Sequence, residues 1–242
     1  RMFSDHPYTR GVFEGLDVDM VPCFHIDSTE HLKSAVDRTP FHTEFVNSRL
    51  DDAGRGQVRL LKKFMKGIGA YGAEQDSRGF SGYLCELLVI RFGSFRGVLE
   101  AARHWRSGTT ISVKGTGPEI ESALVVYDPV DPKRNVASAV HVDTLSLFIV
   151  AACAYLDDPR EEFFFPRTRT PMQNDGLRRL TDTHGSRLLS VVFDRPDAIE
   201  DNLHSQLWKT QIALARKLDD FGFGVLRATH EMTDDRMVVV FE

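Results

Sequence analysis

Residues 80–91 read Phe-Ser-Gly-Tyr-Leu-Cys-Glu-Leu-Leu-Val-Ile-Arg. This stretch constrains the fold more than any other. A helix that is apolar nearly all round has no face to give to water, so other elements must pack around it. The spacing therefore predicts a central helix enclosed by neighbours. A second apolar run, 145–155, is read as another buried helix. No run reaches the roughly 18 apolar residues needed to span a bilayer. With 242 residues, 42% hydrophobic and 27% charged, the chain has room for one large domain or two to three small ones.

Between these anchors the pattern alternates. Residues 11–24 read as a strand that Pro22 ends. Ser28 can cap a short helix over 29–36. Thr39-Pro40 marks a helix start, with Thr39 as N-cap and Pro40 at the first helical position, and that helix runs to about Leu50. A turn is expected at 51–56. The helix 57–66 then puts Val58, Leu61, Phe64 and Met65 inward and Arg59, Lys62, Lys63 and Lys66 on the other side. Helices are expected at 80–91 and 94–105 and strands at 110–113 and 123–127. Asn135 and Asp143 are plausible helix caps. From Phe163 the texture changes. Residues 166–171, Pro-Arg-Thr-Arg-Thr-Pro, are linker-like. A helix (172–183), strand (188–193), long helix (197–221) and two strands (224–229, 237–241) follow, an order that resembles part of a small ferredoxin-like sandwich.

The net charge of −5 gives no global nucleic-acid signature, yet basic residues cluster at 55–66 and 91–106, and an acidic protein can still offer RNA one basic face. Cys23, Cys85 and Cys153 are odd in number, far apart and flanked by apolar residues. They read as reduced, buried thiols of a cytoplasmic protein, with no zinc-ligand spacing. Asp17-Val18-Asp19 places two carboxylates on one face of a strand, a pattern able to hold Mg2+ or simply to be solvated on an edge strand. The stripe Arg59, Lys62, Lys63, Lys66 can grip phosphates or remain a solvated helix face. His42, in a first helical turn, can bond a ribose or phosphate or sit as a surface histidine. The run 67–72, Gly-Ile-Gly-Ala-Tyr-Gly, can bring backbone N–H groups to an anion, although it matches neither the P-loop nor the dinucleotide fingerprint. Arg134, in a loop stiffened by Pro129 and Pro132, can aim its fork at a base edge or phosphate or join an ordinary ion pair. No Ser-His-Asp or Cys-His arrangement points to covalent hydrolysis.

The order and wording of these segments resemble one family. Asp17-Val-Asp19-Met-Val-Pro22-Cys23 comes first, then Ala35-Val-Asp-Arg-Thr-Pro-Phe-His42. Val58-Arg-Leu-Leu-Lys-Lys-Phe-Met-Lys-Gly-Ile-Gly-Ala-Tyr71-Gly-Ala-Glu74 follows, then Gly79-Phe-Ser-Gly-Tyr-Leu-Cys-Glu86 and Asp128-Pro-Val-Asp-Pro-Lys-Arg-Asn-Val136. Together they look like successive blocks of the archaeal (class I) CCA-adding tRNA nucleotidyltransferases. Phe163-Phe-Phe-Pro166 and 192–202 are similar to that family's junction and tail.

The resemblance implies an α+β chain with three parts. Residues 1–37 would be the end of a polymerase-β-type palm, 38–162 a mainly helical central domain akin to poly(A) polymerase and oligoadenylate synthetase, and 163–242 part of a ferredoxin-like tail. It implies stepwise addition of C, C and A to the tRNA 3′ end from CTP and ATP, with Mg2+ as cofactor, tRNA as partner, no membrane, and room for a homodimer. Asp19 matches a catalytic, metal-binding carboxylate, while Asp17 falls where the family varies. Thr39 and His42 match sugar-side contacts, Lys62 and Tyr71 triphosphate contacts, and Arg134 the arginine that judges the base. The family's Gly-Ser motif and its first two carboxylates precede the block holding Asp19, so they are expected upstream of Arg1, and this piece is expected to be inactive alone. The alternatives are a poly(A) polymerase-like enzyme, distinguished by its acceptor, and a non-catalytic RNA-binding paralogue without a palm.

Overall fold

The computed structural model describes residues 8–74, 77–167, 170–198 and 200–242. Thr168 and Arg169 of the expected linker, and Ile199 of the expected long helix, lie outside them. The chain forms two compact units that part between Pro166 and Arg167.

The first unit opens with β1 (Thr9–Phe13) and β2 (Leu16–Met20), paired antiparallel with Arg10 opposite Asp19. The single strand expected at 11–24 is thus a hairpin. Glu14 and Gly15 both take positive φ (50° and 78°), the backbone that a two-residue connection of this hand requires. Two short 3-10 segments follow, Thr29–His31 and Ala35–Arg38, in place of one helix over 29–36. Ser28 caps the first, accepting from the Glu30 N–H.

α1 (Thr39–Asn47) has Arg38 rather than Thr39 at its N-cap, because the preceding 3-10 turn already holds Thr39 in helical geometry. α2 (Asp52–Gly67) begins at Asp52, five residues before the expected start at 57. The Asp51 carboxylate accepts from the Gly54 N–H at 2.7 Å, and that cap carries the helix through Gly54 and Gly56 where a turn was expected. α3 (Gly82–Phe92) is capped by Ser81 and closed by Gly93 in the left-handed region. Its Leu84, Cys85, Leu87, Leu88 and Val89 are buried, as an all-round apolar helix demands. α4 (Phe95–Ala102) starts on the Ser94 cap, with its first N–H also held by Gln57 at 3.1 Å.

β3 (Thr109–Ser112) and β4 (Leu124–Tyr127) pair in parallel. Asn135 ties their far side together and caps no helix: its Oδ1 accepts from the N–H groups of Val126 and Ala137, and its Nδ2 donates to the Leu124 carbonyl. α5 (Val142–Asp157) is capped by His141 rather than Asp143. It is buried on one side only, since Leu147 and Val150 on its other side are exposed. Phe64 is the hub of the core, with Phe95, Phe148, Tyr155, Phe163 and Phe164 ranged around it at centroid distances of 5.5–6.4 Å.

The second unit runs α6 (Asn174–His184), β5 (Leu189–Asp194), α7 (Glu200–Asp220), β6 (Ala228–Met232), β7 (Arg236–Phe241). Its sheet is antiparallel in the order β5-β7-β6. Leu207 and Leu214 of α7 pack with Val191, Phe193, Val239 and Phe241 on one sheet face, so period-two alternation in the strands meets the period-3.6 stripe of the helix. The expected strand at 224–229 starts at Ala228 instead, because Leu226 and Arg227 are drawn onto the last residue, Glu242, before the ladder begins.

Candidate nucleotide site

The first turn of α3 gathers most of the sequence candidates. Gly82 has no side chain, and a Cβ placed there would lie 3.2 Å from Tyr71 Oη and 3.3 Å from Lys62 Nζ. The two polar ends therefore converge on bare backbone at a helix N-terminus, where the peptide dipoles favour an anion. Lys62 is held by Glu86, one turn along α3, at 2.8 Å, with both side chains about a quarter exposed. Lys66 lies over the Tyr71 ring at 4.9 Å. Burial pushes the Tyr71 phenol up while the Lys62 charge pulls it the other way. Tyr71 is fixed by a backbone bridge to Phe80.

One residue further on, Tyr83 begins a second cluster. Its ring stacks on His42 with centroids 4.1 Å apart and planes inclined by 25°, and its hydroxyl donates to Asp128 Oδ1 at 3.2 Å. Asp128 is fully buried. Its Oδ2 is bonded by His42 Nε2 at 2.8 Å and by Arg134 Nη1 at 2.9 Å. Burial works to raise this carboxyl, but the hydrogen bonds from His42, the Val130 N–H and Arg134 and the charge of His42 hold it below the usual carboxylate range. The Tyr83 phenol is driven well up by burial and by the Asp128 charge. The loop carrying Asp128 is tied back at two further points: Thr29 donates to the Val130 carbonyl at 2.6 Å, and Arg38 pairs with Asp131 at 2.8 Å.

His42, Lys62, Tyr71 and Arg134 are thus brought to one helix terminus, with Thr39 exposed at the start of α1, one turn before His42. Asp19 stands apart on the hairpin. Arg10 donates from Nε and Nη2 to both its oxygens, at 2.7 and 2.9 Å, and these bonds and the arginine's charge hold its carboxyl low. Both of its oxygens are engaged, and among the described residues no group of three His, Cys, Asp or Glu side chains could hold a metal ion. The donor set formed by the described residues alone does not fit Mg2+.

The glycine-rich run is not an anion cradle. The N–H groups of Ile68, Gly69, Ala70 and Gly72 all donate to main-chain carbonyls of Phe64, Lys66, Met65 and Phe80. Gly67 serves close packing instead, since a Cβ there would collide with the Phe163 carbonyl, and Gly69 supplies a left-handed φ of 76° with nothing within 4 Å of a Cβ. The basic stripe of α2 is divided among partners, with Lys62 on Glu86, Lys63 over Phe165 and Lys66 over Tyr71. Sequence reasoning missed Tyr83, Glu86 and Asp128 as site residues. The available signal was a carboxylate between a wholly apolar strand and two prolines, and a tyrosine one residue inside a helix with no other polar need.

Comparison with known proteins points to one family. The family profile described as tRNA nucleotidyltransferase, second domain, matches residues 56–165, and that described as CCA-adding enzyme, C-terminal domain, matches 184–242. The chain is 44% identical over 225 residues, 93% of its length, to the CCA-adding enzyme of Methanosarcina barkeri, covering 49% of that protein. It is 42% identical to that of Methanoregula boonei (99% and 52% covered) and 40% identical to that of Halobacterium salinarum (99% and 53%). It spans about half the length of these curated relatives. Among solved structures, a chain of the E. coli MS115-1 CdnC:HORMA-deltaN complex aligns at 18% identity over 64% of this chain and 58% of its own, with a TM-score of 0.43. On the two domain matches in sequence order and this level of identity along nearly the whole chain, the protein belongs to the family of CCA-adding tRNA nucleotidyltransferases.

Proposed function

We propose that this chain forms the nucleotide- and tRNA-handling part of an enzyme that adds CCA to the 3′ end of tRNA without a template. The observation that carries the reading is the convergence of Lys62, Tyr71, His42 and Arg134 on the first turn of α3. A cation and a phenol at a helix N-terminus suit a triphosphate. A histidine and a guanidinium beside them suit a sugar and a base edge. The tRNA 3′-oxygen would form a bond to the α-phosphorus of CTP or ATP while the bond to pyrophosphate breaks, and Thr39 and His42 would hold the sugar in place. Residues 1–37 are read as the end of the palm, 38–162 as the central domain and 163–242 as a ferredoxin-like tail, a reading that the β5-β7-β6 sheet with α7 on one face supports.

Asp19 is the proposed catalytic and metal-binding carboxylate, its exposed pair with Arg10 exchangeable for Mg2+ once further carboxylates are supplied from outside the described residues. Cytoplasmic location belongs to the same reading; no helix among the described residues is long and apolar enough to cross a membrane.

The test is direct. This chain should bind CTP, ATP and tRNA trimmed to the discriminator base, and should incorporate neither CMP nor AMP by itself. Failure to bind nucleotide or tRNA refutes the reading, and incorporation refutes the external supply of metal ligands. Fused behind the N-terminal half of the Methanosarcina barkeri relative, the chain should add both nucleotides, and Asp19→Asn should abolish both additions together, since metal binding is common to them.

A further inference from the structure

We infer that Asp128 is a positioning residue that joins the sugar side and the base side of the site, so that His42 and Arg134 act as one unit in nucleotide binding. The inference rests on the nucleotide reading above and adds a residue and a coupling to it. The carboxylate is fully buried, and its two oxygens are divided in use. Oδ1 accepts from the Tyr83 hydroxyl at 3.2 Å and the Val130 N–H at 3.1 Å, which fix the group from both sides. Oδ2 accepts from His42 Nε2 and Arg134 Nη1, at 2.8 and 2.9 Å. Because Oδ1 is pinned, Oδ2 cannot swing to follow either partner, and the two are placed relative to each other through one atom.

Each partner keeps ligand-facing capacity. An imidazole bonded through Nε2 still has Nδ1 to offer, and a guanidinium that spends one of its five N–H donors keeps the rest of its planar fork. The Arg134 side chain remains 39% exposed, while stacking on Tyr83 sets the plane of the His42 ring. A lysine at 134 would concentrate its donors on one nitrogen and could not reproduce a fork that meets a buried carboxylate and a base edge at once. Glu86 stands to Lys62 as Asp128 stands to His42 and Arg134, but it orients a single partner.

The test is a double-mutant cycle on this chain, with dissociation constants for CTP and ATP read by two-dimensional NMR titration into the millimolar range. With Asp128 present, His42→Ala and Arg134→Ala together should cost about fivefold less than the product of their separate losses, as expected for members of one network. In an Asp128→Asn background the two losses should multiply to within about twofold. Multiplication in both backgrounds would overturn the inference. Should Asp128→Asn not fold, Arg134→Lys, at a partly exposed position, decides alone: it should lose affinity as Arg134→Ala does, and wild-type affinity and CTP/ATP ratio in that variant would overturn the shared-carboxylate geometry. Wild-type chain that binds neither nucleotide refutes the nucleotide reading itself and this inference with it, whereas binding with independent losses refutes the coupling alone.

Discussion

Gly56 and Gly67 lie in the same helix, α2, and the same substitution should move their stabilities in opposite directions. Inside a helix, alanine gains about 0.5–1 kcal/mol over glycine, chiefly because glycine loses more backbone freedom on folding. At Gly56 nothing opposes that gain. A Cβ would meet only the tip of Arg59, at 3.9 Å, so Gly56→Ala should stabilise the protein by about 0.5–1 kcal/mol. At Gly67, the last residue of α2, the methyl would run into the Phe163 carbonyl, with the Phe163 carbon at 2.8 Å and the Phe164 Cα at 2.9 Å. These are backbone atoms and cannot rotate away. The strap carrying Phe163 and Phe164 must lift, and both rings are packed against Phe64. Overpacking costs about 1–3 kcal/mol, and partly unburying two phenyl rings worth about 1.5–3 kcal/mol each adds to it. Even after the propensity gain, Gly67→Ala should destabilise by about 2–4 kcal/mol. Each unit has its own core, so the measurement is native-state hydrogen exchange at α2 amides, which reports the first unit alone. Protection in Gly67→Ala equal to or above wild type would show that the Phe163 strap does not need a bare backbone beneath it.

Three further outcomes are expected. Phe64→Ala, at the centre of the aromatic cluster and fully buried, should cost the first unit about 3–5 kcal/mol by the same exchange measurement. Burial works to raise the Asp37 carboxyl, but the N–H groups of Phe24, Ser34 and Lys33 and the Ser34 hydroxyl bring it from an ordinary 3.8 down to about 2. A depressed folded value means that its contribution is full above about pH 4 and disappears as the pH falls toward 2, so Asp37→Asn should flatten that part of an acid-unfolding curve. Burial pushes the Cys85 thiol up to about 12, whereas Cys23, expected from its apolar neighbours to be buried, is exposed. Iodoacetamide at pH 8 should therefore label Cys23 and leave Cys85 unmodified in folded protein, as mass spectrometry of the peptides would show.

Much of the architecture was legible in the residues. The all-round apolar 80–91 had to be central, and α3 is enclosed. The amphipathic spacing of Val58, Leu61, Phe64 and Met65 named the buried face of α2. The boundaries were less legible where a short-range bond overrides propensity. Asp51 starts α2 ahead of two glycines, and a two-residue turn with positive φ splits one expected strand into a hairpin. Apolar composition also overstated the burial of α5, because Leu147 and Val150 belong to a helix packed on one side only.

The sequence by itself determined which residue types were available for nucleotide chemistry and the order in which they occur, since charge, hydrogen-bonding capacity and block spacing are properties of the chain. Tertiary structure alone decided which of them meet. His42, Tyr83, Asp128 and Arg134 come from three separate stretches, and their union depends on α3 emerging from the core beside the loop after β4. The same packing turned part of the glycine run from an apparent anion cradle into a close contact, because the N–H groups of Ile68, Gly69, Ala70 and Gly72 are spent on carbonyls and Gly67 lies against the Phe163 carbonyl. Around such a buried carboxylate the local sequence shows only an apolar strand and two prolines, since its role follows from desolvation and from neighbours distant in the chain.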